Sequence, residues 1–131
     1  MKVLSVKEPF ASLIAQGFKK VETRSWKTNY RGEIYIHASL IKSNISCERD
    51  ELLSLVDKLD MNYGHIICKC DLVDCVYMDD WFISNIKNNH QEYICGYYSI
   101  GRYAWILDNV EILDCPIKAK GKLGIWNYDC I

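Results

Sequence analysis

The chain has 131 residues, half of them hydrophobic and a quarter charged, and carries a net charge of -1. That length holds one domain with a core of its own and is too short for two ordinary ones, while the composition excludes a disordered chain. No apolar run is long enough for a signal peptide or a membrane span, so a soluble, cytoplasmic protein is expected.

In chain order, Val3 to Val6 reads as a short opening strand. Pro9 suits the first turn of a helix whose apolar stripe is Phe10, Leu13 and Ile14, and Gly17 can take the left-handed stop. The stretch that follows, Gly17 to His37, concentrates Lys19, Lys20, Glu22, Arg24, Trp26, Arg31 and His37 in a strand over 20–25, a turn through Lys27, Thr28 and Asn29, and a strand over 33–38. Successive strand residues face opposite sides, so Lys20, Glu22 and Arg24 share one face and Val21 and Thr23 the other. In the second strand Ile34 and Ile36 form an apolar wall, with Glu33, Tyr35 and His37 opposite. Such a polar face is either a solvated surface with an ion pair across it or the floor of a site for something anionic or planar.

Ser46 can cap a second helix with the stripe Leu52, Leu55, Val56 and Leu59, and its acidic face reads as solvated. His65 to Val76 is a long strand whose length predicts a bend or bulge. A short helix follows around Asp80 to Lys87, and 88–101 reads as an irregular loop over the site. Arg102 to Asp114 is another long strand or a pair, closed by Pro116, and Lys118 to Trp126 is a glycine-punctuated basic loop ending in an aromatic. About six uneven strands with two or three short helices predict a single β-rich α+β domain, a small mixed barrel over residues 1–131.

Charge is distributed unevenly along the chain. Residues 1–31 carry seven Lys or Arg against two Glu, residues 32–114 six against fourteen acids, and residues 115–131 three against one. If the two ends meet, a local positive field coexists with a nearly neutral total. The seven cysteines include no C-x-x-C pair and read as reduced core thiols. His37, His65 and His90 lack ligand spacing, so neither a metal nor another cofactor is expected.

Three segments, KEPFASLIAQGFKKVETRSW, YRGEIYIHAS and GKLGIW, together resemble the ASCH (activating signal cointegrator homology) domain family. The matching positions are Gly17, Lys19, Glu22 and Arg24, then Arg31, Gly32, Ile36 and His37, then Gly121, Gly124 and Trp126. The resemblance implies a PUA-like fold, a small β-barrel with short helices at its ends and a cleft lined by the motif residues. It also implies RNA or a nucleotide-like ligand as partner.

The expected ligand-binding set is Lys19, Glu22, Arg24, Trp26, Arg31, His37, Lys120, Lys122 and Trp126, with Lys7 at the rim. Lys19 and Arg24 can donate charge-assisted hydrogen bonds, Arg24 bidentately. Glu22 either neutralises them or accepts from the exocyclic amine of a base. Trp26 and Trp126 are either stacking platforms or core, as is common for tryptophan in a chain this small. Trp105 reads as core, Tyr30 as a turn residue, and His37 as structural if it does not line the ligand.

Some ASCH proteins hydrolyse acetylated cytidine with a Lys, Thr and Glu set, the Thr three residues after the Lys. Here that position is Glu22, and Thr23 comes one later; only Lys20 has a Thr at the family's spacing. If the activity is present, the resemblance implies Lys19 or Lys20 as base, Thr23 as nucleophile and Glu92 as acid. The binding reading places the domain in RNA metabolism or transcription coregulation; a third alternative is an adaptor that meets a protein partner through its acidic middle.

Overall fold

The computed structural model describes residues 1–42 and 50–129. β1 (Lys2–Glu8) is covered on both faces: Leu4 and Val6 enter the main core, and Val3 packs on the opposite side with Ile66 and Trp126. The chain enters α1 (Phe10–Ala15) with Glu8 fully buried; its carboxylate accepts from the Ser12 backbone N–H at 2.8 Å and the Ser12 hydroxyl at 2.6 Å. These bonds satisfy one of the orphan donors of the first turn. Gly17, at φ +82°, ends the segment as the sequence predicts.

β2 (Val21–Arg24) and β3 (Gly32–Lys42) follow, then α2 (Asp50–Val56), β4 (His65–Tyr77), α3 (Asp80–Ile86), α4 (His90–Ile94), β5 (Tyr103–Lys118) and β6 (Ile125–Asn127). The six strands form one sheet in the order β2-β5-β4-β3-β1-β6, parallel only between β1 and β3. The apolar wall is where the alternation puts it, with Ile34 and Ile36 fully buried among Leu4, Ile14, Cys68 and Trp105. The interior cysteines are Cys68, Cys70 and Cys95, with Cys75 half-buried and Cys115 exposed. Burial pushes the Cys68 and Cys70 thiols up, Cys70 to about 12, so both stay protonated.

Several expected features come out differently. Among the described residues no ladder joins β2 to β6, so the sheet is a β-rich α+β arrangement that does not close by backbone hydrogen bonds into the expected barrel. Its edge strands are only four and three residues long. Side chains bridge the interval instead, with Arg24 Nη2 donating to the Ser5 carbonyl at 2.8 Å. The irregular segment 88–101 contains α4, started by Asn89, whose side chain accepts from the Glu92 N–H at 3.3 Å. Five residues are too few to show a helical period. β5 runs through Pro116 to Lys118, because the register jumps between the Cys68–Ile112 and Ile66–Ile117 pairs and leaves the proline outside the ladder. β4 carries the predicted irregularity, with three register shifts against β5. Ser46, expected to cap the second helix, lies outside the described residues, as do Cys47 and Cys130.

Candidate functional site

A cleft of about 920 Å³ lies in the interval between β2 and the β1–β3 pair, walled further by residues 95–97 and by the loop 120–124. It is lined by six cationic side chains, Lys7, Lys19, Arg24, Arg102, Lys120 and Lys122, and one carboxylate, Glu22. A chain of net charge -1 thus gathers a strongly positive concavity from its two basic ends, joined by Arg102 of the acidic middle. Its size suits a nucleoside-sized group.

The floor is built by the start of β2. Lys19 is 1% exposed, and its Nζ donates to the Cys95 carbonyl at 2.6 Å and sits 3.9 Å from Glu22. Burial holds the Lys19 pKa below the ordinary lysine value, against the opposing pull of the Glu22 and Glu92 carboxylates. Glu22 is buried and accepts from Arg24, Nη2 at 2.9 Å and Nε at 3.1 Å, and from the Thr23 N–H at 3.2 Å. Arg24 is thereby fixed in one pose, with one nitrogen turned to Ser5 and donor capacity remaining on its far edge.

Glu92 supports this floor from behind. It is 5% exposed, and its two oxygens accept from the backbone N–H groups of Lys20 at 2.6 Å and Val21 at 3.2 Å. The Tyr98 hydroxyl approaches the second oxygen at 3.4 Å, and burial pushes the Tyr98 pKa up. One carboxylate of α4 therefore sets the entry of β2, and with it Lys19.

The opposite wall is a hydrogen-bonded relay. Trp126 Nε1 donates to Ser5 Oγ at 3.0 Å, Ser5 Oγ lies 3.1 Å from His37 Nδ1, and His37 Nε2 lies 2.8 Å from the Ala119 carbonyl. A carbonyl can only accept, so Nε2 carries the proton and Nδ1 accepts from Ser5. The ring thereby ties the loop 120–124 to β1. A Cβ at Gly121 would sit 2.8 Å from His37 Cε1 and 2.9 Å from Ser5 Oγ, so only glycine permits this approach.

At the mouth, Trp26 is 38% exposed and its ring stands at 88° to that of Trp105, centroids 4.7 Å apart, while its carbonyl accepts from Trp105 Nε1 at 3.3 Å. Part of its ring remains open at the cleft. Arg102 lies over the Tyr97 ring, 4.7 Å from the centroid, and its Nη2 donates to the Thr23 hydroxyl at 3.4 Å.

Of the expected residues, Lys19, Glu22, Thr23, Arg24, Trp26, His37, Lys120 and Lys122 line the cleft, as does Lys7. Thr23 takes its hydroxyl to Arg102. Lys20 and Glu92 stand outside the lining, Lys20 exposed and Glu92 behind the strand. Arg31 is also outside, donating to the Thr28 and Tyr30 carbonyls at 3.0 and 2.8 Å with Asp74 at 3.6 Å. Trp126 is 6% exposed and packs with Val3 and Ile66, reaching the lining through its bond to Ser5 and its ring contact with His37, centroids 5.6 Å apart. The sequence reading missed Ser5, Tyr97 and Arg102. Arg102 becomes visible only through the pairing of Arg24 with Tyr103, which brings the start of β5 beside β2. Among the described residues no three His, Cys, Asp or Glu side chains gather as a metal site, and no helix is long and apolar enough to cross a membrane.

Activating signal cointegrator 1 of Homo sapiens is 29% identical over 134 residues, and that of Mus musculus 30% over 135 residues. Each alignment covers 96% of this chain and 22% of the relative, so the chain spans about a fifth of the length of these curated relatives. The family model for the ASCH domain matches residues 4–114, the span that carries the floor of the cleft, its supporting helix and Arg102, and the chain belongs to the ASCH domain family.

Proposed function

We propose that this domain binds an RNA segment, nucleotide or modified nucleoside in the cleft between β2 and β1. The observation that carries the reading is the lining itself, six cations and one buried carboxylate around a concavity of about 920 Å³ with a half-open tryptophan at its mouth. The cations attract phosphate, Glu22 and Arg24 offer an acceptor and donors to a base edge, and Trp26 gives a face for stacking. Membership of the ASCH family and likeness to a protein named as a signal cointegrator favour a role in RNA metabolism or transcription coregulation. The PUA-like reading of the fold is kept as part of this proposal, supported by the Arg24 bond to the Ser5 carbonyl, which links β2 to β1 across the interval that no ladder closes.

The test is a fluorescence-anisotropy titration of labelled single-stranded RNA at several salt concentrations, with the unmodified protein and the surface double variant Lys120→Glu/Lys122→Glu. Weaker binding and a shallower salt dependence in the variant are expected. Equal affinity and slope in both proteins would remove the cleft assignment.

One observation favours a second reading. Burial that lowers the pKa of a lysine favours its neutral, basic form, and Lys19 is buried with its pKa lowered, although Glu22 stands where the hydrolase subgroup has its Thr. Against it, Glu92 has its oxygens occupied by backbone amides and the Thr23 hydroxyl faces Arg102. Release of free cytidine from acetylated cytidine would establish the hydrolase, and a binding domain gives no turnover.

A further inference from the structure

The cleft is layered in charge. Lys19 and Arg24 at the floor stand beside the Glu22 carboxylate. Of the remaining cations, Lys7, Lys120 and Lys122 are exposed and Arg102 half-exposed, and among the described residues none of the four forms an ion pair. An anion is therefore favoured most at the four cations of the mouth, while at the floor Glu22 offsets one of the two cations. The floor suits a neutral planar group with both donors and acceptors, since Glu22 accepts while Lys19 and Arg24 donate. A nucleotide has one end of each kind, and the layering fixes its direction.

A second observation concerns the loop. Leu123 is 98% exposed, flanked by Lys122 and Gly124, and lines the same mouth as Trp26. It buries almost nothing in the folded domain, and its loop is tied at its start by the His37 bond to Ala119 and by the close fit of Gly121. An apolar side chain presented beside phosphate-binding lysines is suited to fill the place of a displaced base in a stack.

Resting on the reading of the cleft as a nucleotide site, we propose that its occupant is one unstacked base of an RNA strand. The base points inward to Glu22, Lys19 and Trp26. The phosphates run along Lys7, Arg102, Lys120 and Lys122, and Leu123 fills the gap left in the stack. A free nucleotide would use the floor and leave Leu123 idle.

The probe is a fluorescein-labelled RNA nonamer with adenosines on both sides of a central 4-thiouridine, compared with uridine 5′-monophosphate in calorimetry. Four mouth cations on a single strand predict a slope of log K against log salt of about -3. On irradiation, the central base crosslinks to Trp26 or Tyr97. Leu123→Ala weakens the nonamer about tenfold and leaves the mononucleotide unchanged. Crosslinks confined to residues 120–123, or equal losses for both probes, overturn the inward base and the wedge while the cleft stands as a nucleotide site. No binding of either probe at low salt removes both readings.

Discussion

Replacing Glu92 by Gln tests whether this residue builds the site or acts in it. The carboxylate gives one oxygen to the Lys20 N–H and the other to the Val21 N–H, in surroundings that leave it 5% exposed. A carboxamide keeps one acceptor and turns an NH2 toward the second backbone donor, which is then buried without a partner. Hydrogen bonds to a charged group contribute roughly 1.5–3 kcal/mol, and an orphaned buried donor costs about 1–3 kcal/mol. We therefore expect Glu92→Gln to destabilise the fold by about 2–3 kcal/mol. With a urea m value of about 2 kcal/mol/M, the unfolding midpoint falls by roughly 1 M. RNA affinity should fall as well, because Lys19 immediately precedes the clamped backbone. A residue serving only as a catalytic acid would leave the midpoint in place. A midpoint shift below about 0.25 M would refute the clamp.

Lys19→Met removes a buried cation while Glu22 keeps Arg24 at 2.9 Å, so stability should stay within about 1 kcal/mol of the parent or rise. Because burial lowers the folded-state pKa of Lys19 below 10.5, the unfolded chain holds that proton at pH values where the folded chain has released it. The Lys19 contribution to stability therefore rises with pH through the window ending at 10.5. Urea titrations across that window should show the parent gaining on the variant; parallel curves would contradict the buried, desolvated lysine. Gly121→Ala places a methyl 2.8 Å from His37 Cε1, and overpacking of this kind costs about 1–3 kcal/mol. The loop should lift, read as a lowered thermal midpoint with weakened RNA binding, and a variant unchanged in both would show that the loop yields freely.

Much of this molecule is legible in its sequence because short-range rules govern it. Alternation marks Ile34 and Ile36 as core, Gly17 marks the end of the first helix, and the motif around Lys19, Glu22 and Arg24 marks the floor of the cleft. Strand parity puts Glu22 and Arg24 on one face, where they form a salt bridge at 2.9 Å, but it also expects Lys20 beside them and Thr23 opposite, whereas Lys20 stands outside the lining and Thr23 lines the cleft. What one strand cannot specify is what stands across from it. The pairing of β2 with β5 brings Arg102 beside Thr23, and α4 carries Glu92 behind the site. The parallel contact of β1 with β3 and the short β6 draw Trp126 inward and leave Ser5 to link it with Arg24. These are contacts across 19 to 121 residues of chain, set by sheet order and by the burial each side chain obtains there. Composition and periodicity act over a few residues, so they could name the groups that make the cleft but not decide which of them face it.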